Sequence, residues 1–316
     1  MIDVTTIIVS YNTKNLLSKC VDKLRDTLRG FNGQIIFVDN ASKDSSVETI
    51  RKTASDCRLI ENKQNVGFGR ANNQAMQFAE GRYVLLLNTD AFVGAQTLTK
   101  TVAFMDAHPR CGILGVRLEG SDGDLQSCCR YFPTVWNTFL LRTGLNQLFK
   151  SVQMVDDLSW AHDEVRSCDW VVGCYYLVRK ELIDQIGLFD PRYFLYFEEV
   201  DHCFAAKKAG WDVVFYPHTT VVHLGGESAK SEGAVTAGGK QLEALQAESE
   251  LLYYRKNHGL GAAWASVTLT CLAESFNLTK RMFKRGVPLG AAAARQRMAL
   301  VWSIFVKTRW ASQPTR

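Results

Sequence analysis

Tyr83-Val-Leu-Leu-Leu-Asn-Thr-Asp90 decides the reading of this chain. A short apolar run suits a strand buried on both faces. This one breaks off abruptly into Asn88, Thr89 and Asp90, which places Asp90 at a strand tip. A hard divalent cation takes oxygen ligands, few from protein and the rest from phosphate and water, so a carboxylate there suits a metal. It also suits a capping Asp before a turn. Further on, Phe194-Leu-Tyr-Phe-Glu-Glu-Val-Asp201 packs three carboxylates into four positions behind an aromatic run. Crowding of Glu198, Glu199 and Asp201 raises at least one pKa, and desolvation by Phe194, Tyr196 and Phe197 raises it further, as a general base needs. A solvated helix N-terminus is the alternative. Together the two stretches point to metal-assisted transfer chemistry.

Outward from Asp90, strand and helix alternate. Val4–Tyr11, Gln34–Val38, Arg58–Glu61 and Arg82–Leu87 read as strands, and Lys14–Gly30, Val47–Ala54 and Gly69–Glu80 as the helices between them. This predicts an α/β fold: a Rossmann-like, mostly parallel sheet with flanking helices, and ligands beyond the carboxyl ends of the strands. Tyr11, Asp39 and Asp90 lie at those ends. Ala95–Ala107 reads as a helix, Cys111–Arg117 as a strand, and 118–169 as loops and short helices over the sheet. Trp170–Arg179 returns to strand, Lys180–Ile186 and Glu198–Ala209 to helix, and Val213–Tyr216 and Thr220–His223 to short strands. Gly225–Gly239 reads as a mobile loop and Lys240–Lys256 as a helix. The expected organisation is a catalytic domain over 1–239, with a nucleotide-binding half to about 117 and an acceptor half after it, and a basic helical extension over 240–316.

With 316 residues the chain is long enough for a full core, and 47% hydrophobic against 22% charged is ordinary for a soluble globular protein. Nine cysteines, odd in number and without a C-x-x-C pair, predict reduced thiols rather than a disulfide framework or zinc site. The N-terminal residues predict no secretory leader, and no apolar run is long enough for a transmembrane helix. The net charge of +5 conceals an asymmetry: Leu251–Arg316 holds eleven Lys or Arg against Glu274 alone, which leaves residues 1–250 at −5.

Three further motifs carry chemistry. Asp39, in Phe37-Val-Asp-Asn-Ala-Ser42, suits a carboxylate bonding a base or ribose, or else a helix-capping loop. Asn65-Val-Gly-Phe-Gly-Arg-Ala-Asn-Asn73 is a glycine-containing turn into a helix, where backbone amides suit a diphosphate and Arg70 adds charge. It is not a complete G-x-G-x-x-G, and a structural turn is the alternative. His223 follows an apolar strand, where a neutral imidazole is a metal ligand or a structural side chain.

In order along the chain, Ile7-Ile-Val-Ser-Tyr-Asn12, Val38-Asp-Asn-Ala-Ser42, Asn65-Val-Gly-Phe-Gly69, Leu85-Leu-Leu-Asn-Thr-Asp90, Trp170-Val-Val-Gly173, Gly187-Leu-Phe-Asp190, Phe194–Asp201 and His223-Leu-Gly-Gly-Glu-Ser228 resemble the inverting family-2 glycosyltransferases of GT-A fold, most of all the bacterial rhamnosyltransferase-like branch. The resemblance implies Asp39 on the nucleoside with Ser10 and Tyr11 nearby, Asn65, Gly67, Arg70 and Asn88 on the nucleotide, and Asp90 as the last Asp of the family's D-x-D motif. It implies His223 as the distal ligand of a Mg²⁺ or Mn²⁺, Glu199 as base with Glu198 or Asp201 as alternatives, and Trp170 in the acceptor wall or the core. Two departures stand out: Asn88 replaces the first Asp of D-x-D, and Glu199 replaces Asp as base. The implied partners are a nucleotide-sugar, with dTDP-rhamnose ahead of UDP-hexoses or galactofuranose, and a lipid-linked or polysaccharide acceptor. The basic, aromatic tail suits the surface of an anionic membrane, which predicts a cytoplasmic protein peripheral at the inner face of the cell membrane. Packing on the domain or a homodimer contact are alternatives, and nucleic acid is not expected. Competing functions are a sugar nucleotidyltransferase, which needs a glycine- and lysine-rich phosphate loop that Ser10-Tyr-Asn-Thr-Lys14 is not, and a non-catalytic sugar-nucleotide-binding protein.

Overall fold

The computed structural model describes residues 2–157, 159–225, 240–283 and 289–316. Strand β1 (Val4–Ser10) pairs in parallel with β2 (Gly33–Asp39) on one side and β4 (Tyr83–Leu87) on the other, and β3 (Arg58–Glu61) extends the parallel run beyond β2. Parallel neighbours need crossovers, supplied here by α1 (Lys14–Thr27), α2 (Ser46–Thr53) and α3 (Phe68–Met76). Every residue of β4 is buried, as its unbroken apolar run requires.

Beyond β4 the sheet is mixed. After β5 (Ala91–Val93) and α4 (Thr97–Ala107), β6 (Cys111–Glu119) is joined to β4 through β9 (Tyr175–Arg179), which is antiparallel to both. β10 (Asp212–His223) runs parallel to β6, and β5 closes the edge antiparallel to β10. The order is β3-β2-β1-β4-β9-β6-β10-β5, with β7 (Leu125–Gln126) on β6 and β8 (Arg166–Ser167) on β10. The parallel expectation thus describes the β3-β2-β1-β4 half. β9 begins only at Tyr175, opposite Leu87, so residues 171–174 turn over the carboxyl end of β4 instead of continuing the expected strand. The two short strands expected at 213–223 are one strand whose register shifts between Tyr216 and Thr220, where Pro217 has no N–H to donate.

The chain divides into two compact units. The first, 1–130, 158–191 and 198–237, holds the sheet, α6 (Lys180–Ile186) and α7 (Glu198–Lys208). The second, 131–157, 192–197 and 238–316, is helical: α5 (Val135–Thr143), α8 (Lys240–Phe283) and α9 (Leu289–Lys307). α5 opens with a capping box, Thr134 accepting from the Asn137 amide at 3.0 Å and Asn137 accepting from the Thr134 amide at 2.9 Å. α8 packs against α5 and α9, and bends at Gly259, whose φ of 87° only glycine adopts without strain. Among the described residues no helix is long and apolar enough to cross a membrane. The expected loop 225–239, from Gly226 on, and the basic residues Lys284 and Arg285 lie outside the described residues.

Candidate active site

The carboxyl ends of β1, β2 and β4 and the turn before β9 bring most of the expected residues together within the first unit. At β2, Asp39 is buried, and one oxygen accepts from the Ser42 amide at 2.9 Å while the other has no partner. Burial pushes its pKa up against that Ser42 bond. Two loops close around it. The Asn12 amide donates to Ser42 Oγ at 2.9 Å, and the Lys43 amide to Asn12 Oδ1 at 2.7 Å. Thr13 donates to Ser46 Oγ, and Lys14 to Asp44 Oδ2. Ser10 Oγ lies 3.2 Å from Thr13 Oγ1, so it is engaged within its own turn, and Tyr11 follows at the strand end, half-buried.

The Asn65–Gly67 turn is held by a residue the sequence reading passed over. Asn40 is buried, donates to Asn65 Oδ1 at 2.8 Å and accepts from the Val66 amide at 3.0 Å. Asn65 Oδ1 also accepts from the Gly67 amide at 2.9 Å, so the Asn65 side chain shapes the turn. Gly67, with φ 89° and ψ 163°, is a conformation only glycine enters freely, and it starts α3. Arg70 donates through Nε to the Pro191 carbonyl at 2.8 Å, and Asn73 exchanges bonds with the Phe189 backbone. Arg70 therefore also ties α3 to the 189–191 segment, which its reading as a phosphate ligand did not anticipate.

Asp90 follows β4 in a tight turn: the Asn88 amide donates to the Cys174 carbonyl at 3.0 Å, and the Ala91 amide to the Asn88 carbonyl at 3.1 Å. Because β5 pairs with β10, Ala91 stands opposite His223, and His223 Nε2 comes to 3.6 Å from Asp90 Oδ1. Gln126, on the two-residue β7, grips His223 twice: its Nε2 donates to the His223 carbonyl, and its Oε1 faces Nδ1, both at 2.8 Å. The first bond fixes the orientation of the amide, so Nδ1 carries the proton and Nε2 keeps its lone pair on the Asp90 side. Burial lowers the His223 pKa against the pull of Asp90, favouring the neutral ring that a metal requires. A carboxylate oxygen and an oriented imidazole nitrogen are a fitting donor set for Mg²⁺ or Mn²⁺. Among the described residues no third His, Cys, Asp or Glu joins them.

Glu198 and Glu199 open α7, entered through two consecutive left-handed residues, Tyr196 and Phe197 (φ 69° and 68°), a conformation costing side-chain-bearing residues on the order of 1 kcal/mol or more each. Each glutamate has one buried oxygen without a partner. Burial raises both pKa values. Glu198 goes well above the usual range, since the neighbouring Glu199 charge adds to its desolvation. Glu199 rises less: the backbone amides of Glu199, Gly173 and Val200 and the Arg130 guanidinium oppose its burial. Glu199 is beside Gly173, in the turn over β4, where a Cβ would meet Glu199 Oε1 at 3.9 Å. Asp201 is buried further into α7. The helix is anchored by His202, bonded to Tyr176 Oη at 2.9 Å and to the Gly187 carbonyl at 3.1 Å, and by Lys207 on Asp169 at 2.8 Å. Trp170 is buried under the Arg130 guanidinium, 4.9 Å from its ring centroid.

Residues 5–157 match the family described as Glycosyl transferase family 2. Over 206 residues the chain is 27% identical to the N-acetylglucosaminyl-diphospho-decaprenol L-rhamnosyltransferase of Mycobacterium tuberculosis, covering 60% of this chain and 66%, just under two-thirds, of that protein. It is 20% identical over 212 residues to the low-salt glycan biosynthesis hexosyltransferase Agl10 of Haloferax volcanii, covering 65% and 62%. Among solved structures it is similar to the mannosyltransferase PcManGT of Pyrobaculum calidifontis in complex with GDP-Man and Mn²⁺, with a TM-score of 0.56, 16% identity, and coverage of 99% of this chain and 90% of that one. It is also similar to Staphylococcus aureus TarS 1–349, with a TM-score of 0.51, 15% identity, and coverage of 97% and 91%. At those identities the structural likeness speaks to the fold. Residues 5–157 thus match a glycosyltransferase family 2 domain, and the fold is of the GT-A type seen in those glycosyltransferase neighbours.

Proposed function

We propose that this chain moves a sugar, with inversion, from a nucleotide-diphosphate donor to a hydroxyl of a lipid-linked or polysaccharide acceptor, at the inner face of the cell membrane. The observation that carries this is the Asp90–His223 pair at 3.6 Å, its tautomer fixed by Gln126. Asp90 and His223 would hold Mg²⁺ or Mn²⁺, which when bound neutralises charge on the departing nucleotide diphosphate. Asp39, with one oxygen unpartnered, accepts a hydrogen bond from the nucleoside, and the Asn65–Gly67 turn and Arg70 border the diphosphate at the start of α3. Asn88 accompanies Asp90 in the turn after β4.

Glu199 is the base. Of the coupled pair, Glu198 keeps the proton, because the Glu199 charge adds to its desolvation and only its own amide opposes this, whereas three amides and Arg130 favour ionised Glu199. Glu199 takes the proton of the acceptor hydroxyl as that oxygen bonds to the anomeric carbon. The bond from that carbon to the diphosphate oxygen breaks on the opposite face. One displacement inverts the centre, and no covalent enzyme intermediate forms. Trp170 supports the acceptor side through Arg130.

For the donor, dTDP-rhamnose is the first choice, supported by the mycobacterial relative's description as an L-rhamnosyltransferase acting at a diphospho-decaprenol-linked sugar. UDP-hexoses are the second, supported by a relative from Escherichia coli described as a UDP-Glc:alpha-D-GlcNAc-diphosphoundecaprenol beta-1,3-glucosyltransferase, 32% identical over 106 residues that cover 33% of this chain and 41% of that one. The test is a panel of nucleotide-sugars with and without Mn²⁺ or Mg²⁺, following nucleotide diphosphate release. Metal-dependent release from one donor names it. Silence across the panel with no nucleotide binding by calorimetry would overturn the proposal, and silence with binding retained would point to a missing acceptor.

A further inference from the structure

Among the described residues, eleven of the fourteen large apolar side chains that stand exposed belong to the second, smaller unit, so its surface departs from that of the sheet unit. Isolated exposed apolar residues need no explanation, but these are ordered. On α8, Leu260 with Trp264 and Leu272 with Phe276 are spaced by four, so each pair forms a short stripe one helical turn long. On α9, Trp302 and Val306 repeat the same step. The Trp264 ring joins the stripes, its centroid 5.7 Å from Trp302 and, stacked, 5.5 Å from Trp310. Trp310 reaches that position because Arg309, Trp310 and Ala311 are all left-handed (φ 50°, 62° and 58°), a turn closed by the Trp310 amide on the Phe305 carbonyl at 2.8 Å and by buried Ala311 on Thr308 Oγ1 at 3.1 Å. The chain thus adopts an uncommon backbone to hold a 46% exposed indole beside the similarly exposed Trp302. Arg295, Lys307 and Arg309 are exposed on the same segment, within a region that carries +10 overall.

We infer that the face built by Leu260, Trp264, Trp302, Val306 and Trp310 seats this protein on an anionic lipid surface. Indoles combine an apolar body with a wet N–H and settle at the boundary between acyl chains and headgroups, and a basic surround is complementary to anionic headgroups. A second copy is the poorer occupant. A two-fold contact would set this patch on itself and crowd two copies of its basic surround together. For its purpose the inference rests on the proposed lipid-linked acceptor; the binding it predicts does not.

The test uses the full chain with vesicles of phosphatidylglycerol and phosphatidylcholine, against phosphatidylcholine alone. The wild type is expected to sediment with the anionic vesicles, at least about tenfold more tightly than with neutral ones. Trp302→Ser with Trp310→Ser should weaken binding about tenfold or more, while Lys307→Gln with Arg309→Gln should remove the anionic preference. Metal-dependent nucleotide diphosphate release should stay at the wild-type rate in both, which also reports on folding. Brominated lipid gives a check without variants: it should quench the wild type partially, since three of the seven tryptophans form the patch. Equal binding to neutral vesicles, undiminished binding by the tryptophan variant, or a wild-type dimer that this variant dissociates would overturn the inference. Vesicle binding without transfer to any lipid-linked acceptor would retain it and refute the acceptor reading instead.

Discussion

The two units differ in how they treat several of their buried carboxylates. In the helical unit they are answered. Glu250 takes Arg142 at 2.9 Å and Ser266 at 3.1 Å, and Glu248 takes the amide and hydroxyl of Thr315, both at 2.7 Å. In the sheet unit Asp39, Glu198 and Glu199 each keep a buried oxygen without a partner. Folding alone does not favour such atoms, since an unsatisfied buried acceptor costs on the order of 1–3 kcal/mol. Their concentration at one end of one sheet marks where the molecule gives up stability for chemistry. The helical unit carries its anomaly outside, as exposed indoles.

The same substitution should therefore have opposite effects in the two units. Glu199→Gln is expected to lower turnover by about 10² to 10⁴ with thermal stability retained or raised. Glu250→Gln should leave turnover intact and lower stability by about 1–3 kcal/mol, read by thermal unfolding. Matching phenotypes would erase the distinction. Gln126→Leu sharpens it within the sheet unit. Losing the grip on His223 should weaken Mn²⁺ binding about 10- to 100-fold, measured by titrating the metal against turnover, with activity returning at high metal. Asn40→Ala should act more mildly, raising the donor KM about tenfold through the loosened Asn65–Gly67 turn and leaving kcat nearly unchanged. The smallest effect is a pH dependence of stability. Glu198 has a folded pKa above its unfolded one, so the folded state binds the extra proton and loses stability as pH rises from about the ordinary glutamate value through the raised one. Glu198→Gln removes that loss: its melting temperature should exceed wild type at pH 8, and the gap should close towards pH 4.5.

Much of this was legible in the sequence because it rests on local pattern. The apolar run of β4 and its break at Asn88–Asp90 fix a strand and its polar tip, and three acidic residues at the head of α7 announce themselves. What pairing decides was not. β9 runs antiparallel because residues 171–174 turn over β4, and nothing in the alternation of strand and helix encodes that direction. Gln126 carries no signal, since a two-residue strand has no period and its role exists only once β6 and β10 lie side by side. Asn40 sits inside a motif the sequence did flag, but beside Asp39 it reads as one more loop polar residue. The indole patch was legible as composition and not as a surface. The left-handed turn at Arg309–Ala311, which folds Trp310 onto Trp264, has no glycine to betray it.

The most direct test of the claim that the unpaired carboxylates are the machinery compares wild type with Glu199→Gln for Mn²⁺-dependent nucleotide diphosphate release from the active donor, across pH, alongside calorimetric binding of the nucleotide diphosphate. The expected result is a wild-type rate that rises with pH as Glu199 ionises, a near-complete loss in the variant, and equal nucleotide binding by both. A variant that turns over at the wild-type rate with the same pH profile would contradict it, and the base would have to be sought elsewhere on the chain.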